Sequence, residues 1–81
     1  MSPRERRPFV VFGFRTTHEA LDAEAALKRA ALDVVPVPTP AVLGELCGIA
    51  MRVPPEQASR AREVLLDADI TPQSSARIDD V

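Results

Sequence analysis

The chain has 81 residues, a formal net charge of -2 and a pI near 5.3, which gives no electrostatic footprint for nucleic acid. With 46% hydrophobic and 27% charged residues it reads as one small globular domain and not as a disordered chain. A single cysteine excludes an internal disulfide and points to a reducing, cytoplasmic setting.

The chain lacks Trp and Tyr and has three Phe, so the core is aliphatic and rich in Ala. No stretch is long enough to span a bilayer, and the charged start does not read as a signal peptide. Arg4, Arg6 and Arg7 make residues 1–7 a basic N-terminal arm, expected to be solvated and flexible.

The folded part is expected over residues 8–71. "PFVVFGF", Pro8 to Phe14, is an unbroken apolar run that predicts a strand covered on both faces. Phe9 and Val11 point one way, and Val10, Phe12 and Phe14 the other. Thr16 with Glu19 three residues on has capping-box spacing, opening a helix that reaches Ala31. Ala20, Ala23, Leu27, Ala30 and Ala31 give it a small-residue stripe suited to lying close on a sheet.

"DVVPVPTPAV" follows. Val34, Val35 and Val37 favour a strand, while Pro36, Pro38 and Pro40 remove N–H donors from one side of it. That pattern fits an edge strand and not a central one. Thr39-Pro40 reads as the N-cap and first turn of a short helical segment reaching about Leu46. "IAMRV" is the third strand, with Ile49, Met51 and Val53 on one face and Ala50 and Arg52 on the other. Pro54-Pro55-Glu56 starts a second helix whose core stripe is Ala58, Ala61, Leu65 and Ala68, with Val64 on its flank. Ile70 and Thr71 are expected to form a short final strand, and 72–81 a polar, frayed tail.

Strand, helix, strand, strand, helix, strand is the α+β, ferredoxin-like split βαβ plan (βαββαβ), here with a short helical turn between strands 2 and 3. Two helices cover one face of its sheet and leave the other open. An open face carrying apolar strand residues predicts a homodimer or a protein partner.

Chemistry centres on Cys47. A free cysteine is often a small buried hydrophobe. Three features point the other way: Gly48 follows directly, the residue lies where a turn enters a strand, and no second thiol exists. Glu45 and Leu46 offer the thiol no positive neighbour. Any support must come from elsewhere in the fold: Arg15 and His18, where strand 1 passes into helix 1, and Arg52 on strand 3 are the candidates, and antiparallel strands 1 and 3 would favour proximity of His18 to Cys47. The glycines Gly13, Gly44 and Gly48 make no phosphate-binding spacing, and one Cys with one His makes no metal site.

"RTTHEALDAEAALKRAALDVVPVPTP", "CGIAMRV" and the Pro-Glu-initiated helix together resemble the DUF3343 family of Se/S carrier-like proteins, from about Phe9 to Ile70. The helix-opening Thr17-His18-Glu19-Ala20-Leu21 matches its Thr-His-(Asp/Glu)-Ala-Leu signature, and Cys47-Gly48 matches its most specific element. The resemblance implies that Cys47 carries sulfur or selenium as a persulfide or selenosulfide. It also implies a cysteine desulfurase or selenium-handling enzyme as partner. On the carrier reading Gly48 gives access to the sulfur, His18 or Arg15 steadies its anion, Thr17 is a further supporting residue, and no cofactor is expected. Two positions depart from the family pattern. Gly44-Glu45-Leu46 stands where serines often precede the cysteine, and Ala31 where Gly often closes the first helix.

The sequence therefore reads as a carrier more than as an enzyme. The alternative is a small ferredoxin-like interaction or ligand-sensing module in which Cys47 is packed and unreactive.

Overall fold

In the computed structural model, residues 8–79 are described. The arginines of the N-terminal arm, with Asp80 and Val81, lie outside them. The first strand, β1, runs Pro8–Gly13, and the helix α1 runs Thr17–Arg29. Thr16 caps α1 as its spacing predicts, its hydroxyl accepting the Glu19 amide at 3.1 Å. Glu19 in the first turn and Lys28 and Arg29 in the last complement the helix dipole.

The helix ends two residues earlier than predicted. Ala31 takes a left-handed φ of 63°, its N–H bonds to the Lys28 carbonyl, and the Leu32 N–H reaches back to the Leu27 carbonyl at 3.1 Å. This is a Schellman ending, in which a left-handed residue satisfies carbonyls the helix leaves over. Ala31 is exposed and Ala30 half-buried, so the buried stripe is Ala20, Ala23, Ala26 and Leu27.

The strand β2, Val35–Pro38, pairs only with β3, Ile49–Val53, placing Val35 opposite Arg52 and Val37 opposite Ala50. Its prolines are accommodated because β2 is an edge strand. Pro55–Gln57 forms a 3₁₀ turn that leads into α2, Ala58–Asp67. Ala58, Ala61 and Leu65 are buried as predicted. Ala68 is exposed instead, because it is the C-cap of α2 and no longer on the helical stripe.

The last strand is the main correction. β4 is Ser74–Asp79, inside the segment expected to fray, and it pairs antiparallel with β1 along its length. Ile70 and Thr71 form no strand. Ile70 instead closes a second Schellman ending, donating its N–H to the Leu65 carbonyl at 2.8 Å after a left-handed Asp69. The sheet order β2-β3-β1-β4, antiparallel between every neighbouring pair, is the ferredoxin-like layout.

Val10, Phe12, Phe14, Met51 and Val53 face the helices and form the main core with Ala20, Ala23, Leu27, Ala61 and Leu65. The other face is less open than the sequence suggests. The helical segment predicted up to Leu46 is only a 3₁₀ turn over Ala41–Leu43, and the chain after it folds onto this second face. Leu43 buries against Val11 and Ala50, with Leu46, Val37, Ala76 and Ile78 packed around them. At the far end Arg52 stacks on the Phe9 ring, 4.1 Å from its centroid. On this face Phe9, Val37, Ala76 and Ile78 stay half-buried and Val35 exposed.

Candidate functional site

Because β1 and β3 are antiparallel, the end of one and the start of the other meet at the same end of the sheet. Cys47 sits there, two residues before β3, and its N–H donates to the Phe14 carbonyl at 3.1 Å. Its own carbonyl accepts the Thr39 hydroxyl at 2.6 Å, and its sulfur donates to the Ile49 carbonyl at 3.1 Å. The residue is half-buried and packs against the helix-side core. It is neither fully exposed beside a cation nor fully enclosed beside Met51.

Leu46 and Cys47 are consecutive yet pack on opposite sides of the sheet, the leucine with Val11 and Ala50, the cysteine with the helix-side cluster. The loop straddles the sheet end. Gly13 makes this possible, since a Cβ there would collide with Leu46 Cδ1 and lie 3.1 Å from Leu43 Cδ1. A glycine inside a strand marks close approach of another segment, and that signal was available in the sequence.

Gly48 is exposed, and a Cβ on it would meet nothing within 4 Å. The left-handed glycine of the loop is Gly44, at φ 93°.

The predicted supporting side chains are engaged elsewhere. The His18 ring pairs with Asp22 at 3.3 Å and is 87% exposed, while Arg15 donates to Gln73 at 2.8 Å. Thr17 is exposed at the first position of α1. The fold brings the backbone next to Arg15 up to Cys47, through Phe14, while the Arg15 and His18 side chains bond to Gln73 and Asp22. Thr39, read from sequence as a helix cap, is the residue that holds Cys47. Pro40 caps the short turn without a side-chain bond.

A cleft of about 720 Å³ lies at the opposite end of the sheet, lined by Phe9, Asp33, Pro54, Glu56 and Arg77 among others. It contains neither Cys47 nor His18. Among the described residues no group of three or more His, Cys, Asp or Glu could hold a metal ion, and no helix is long and apolar enough to cross a membrane.

The profile of a family described as "Putative Se/S carrier protein-like" matches residues 9–77. The chain belongs to this family. Neither a curated protein nor a solved structure matches it. The matched span includes all but the ends of β1 and β4, and so the whole Cys47 loop with the strands that hold it. Within this Se/S carrier-like fold Cys47 is the one thiol, and its polar groups are bonded to Phe14, Thr39 and Ile49.

Proposed function

We propose that this Se/S carrier-like chain holds sulfur or selenium on Cys47 and relays it between partner proteins. The observation that carries this reading is a lone, half-buried thiol at a sheet end, followed directly by the exposed Gly48. In the loading step the Cys47 thiolate attacks the outer sulfur of a donor persulfide, R–S–SH. The bond from that sulfur to R–S breaks, R–S⁻ leaves with the electron pair, and Cys47–S–SH forms. Discharge repeats the step with an acceptor thiolate and regenerates Cys47–S⁻, so no external oxidant or reductant is consumed. A selenosulfide, R–S–SeH, gives Cys47–S–SeH by the same displacement.

A lone thiol suits relay chemistry, because a second cysteine nearby would attack the inner sulfur and expel the cargo as sulfide. The hydrogen bond to Ile49 needs the S–H proton, so the loaded residue, whose inner sulfur has none, is released from that carbonyl.

The test is mass spectrometry after incubation with a cysteine desulfurase and cysteine, the desulfurase being the proposed type of donor. The expected result is a +32 Da adduct of one sulfur, on the wild type and absent from Cys47→Ser. No adduct on the wild type, or an equal adduct on the variant, overturns the reading. In that case the packing of Cys47 against the helix-side core favours the second reading, an interaction module with an inert cysteine.

A further inference from the structure

We infer that Thr39 is the positioning residue of Cys47, and this rests on the carrier reading only for its consequence in sulfur transfer. Thr39 bonds to two successive carbonyls. Its hydroxyl donates to Cys47 at 2.6 Å and its amide to Gly48 at 3.1 Å. The two peptide planes that follow the cysteine are thereby fixed, and they lead directly to the Ile49 carbonyl that accepts the S–H.

The bracket is stiff for a reason visible in the chain. Pro38 before Thr39 has its φ locked, and Pro40 after it confines Thr39 to extended backbone. Thr39 also directly follows β2, which is anchored through Val35 and Val37 to β3. Its β-branched side chain has few rotamers to lose on making the bond. Little conformational freedom is therefore left to disperse the position of Cys47.

On the other side, Leu46 is seated over Gly13 and the Cys47 N–H is tied to Phe14. Thr39 is the only side chain among the described residues that hydrogen-bonds Cys47, since Phe14 and Ile49 bond it through their backbone. Its role is to fix the backbone from which the sulfur projects at the sheet end, so that the thiolate, freed from Ile49 on losing its proton, meets a donor in line.

Thr39→Val keeps the shape and removes the hydroxyl, and Thr39→Ser restores it. Alkylation of Cys47 by iodoacetamide tests the mooring whether or not the protein carries sulfur. Thr39→Val is expected to alkylate roughly threefold faster or more, because the S–H is no longer held on Ile49, while Thr39→Ser stays near wild type. Equal rates for all three proteins, or a serine variant no closer to wild type than the valine variant, overturn the inference. If Thr39→Val does not melt cooperatively, Thr39→Ala takes its place in the same comparison.

Sulfur transfer from the persulfide-loaded desulfurase is the second arm, and there Thr39→Val is expected to be slower by about tenfold with rescue in Thr39→Ser. A wild-type protein that takes no sulfur overturns the carrier reading, and the alkylation rates still decide the role of Thr39.

Discussion

The two faces of the sheet are built differently. On the helix side twelve buried residues from four elements and the loops beside them interlock, whereas on the other side the buried hydrophobic cluster among the described residues is Val11, Leu43 and Ala50. The large cluster is what makes a domain this short stable. The small one fastens a loop. Leu46 and Cys47 divide between them, so the loop is fastened on the weaker side through Leu46 while Cys47 leans on the stronger one.

That difference predicts unequal effects of the same deletion. Leu65→Ala, in the fully buried helix-side core, is expected to cost about 3–5 kcal/mol, enough to unfold much of a small domain. Leu43→Ala is expected to cost about 2 kcal/mol and to leave a cooperative melt, while raising Cys47 alkylation by freeing the loop. Denaturant titration with alkylation rates checks both. A Leu43 variant as damaging as the Leu65 variant would show that the second face is part of one core.

The Gly13 notch gives a finer test. Gly13→Ala drives a methyl group into Leu46 Cδ1, the end of a flexible side chain, so the leucine moves and the strand stays. The expected cost is about 1–2 kcal/mol. In a Leu46→Ala background most of that cost is expected to vanish, a coupling of about 1 kcal/mol measurable in a double-mutant cycle. Additive costs would mean that Gly13 serves β1 and not the loop.

The parts of the molecule visible in the sequence are those set by local periodicity. The unbroken apolar run along Phe9–Phe14, alternation along Ile49–Val53, helical spacing from Ala20 to Leu27, and prolines two apart in β2 each state their own geometry. β4 was hidden because "SSARID" alternates with only Ala76 and Ile78 apolar, while the more strand-like Ile70 is used to close α2. The loop was hidden for a different reason. Leu43 and Leu46, three apart, look like one face of a helix, and their true partner is Gly13, about thirty residues earlier in the chain. At the site, the cysteine was legible and its surroundings were not. His18 and Arg15 share the right end of the sheet but find Asp22 and Gln73 first. Thr39 carried a capping signal that the fold spends on Cys47.

The smallest expected effect separates the two faces most cleanly. Ala31 is exposed and left-handed at φ 63°, a conformation in which a Cβ is unfavourable by roughly 1 kcal/mol and glycine is not. Ala31→Gly is therefore expected to stabilise the protein by about 0.5–1 kcal/mol, a rise of a few degrees in Tm. Asp69→Gly, at the same position after α2 with φ 64°, is expected to gain less, because aspartate tolerates the left-handed region better than alanine. Both helix ends belong to the helix-side layer, so neither change should alter the rate at which Cys47 is alkylated. Thermal melts beside those rates check this. A stabilised Ala31→Gly protein with altered Cys47 reactivity would mean that the loop takes its position from the helices, and the division between the two faces would fail.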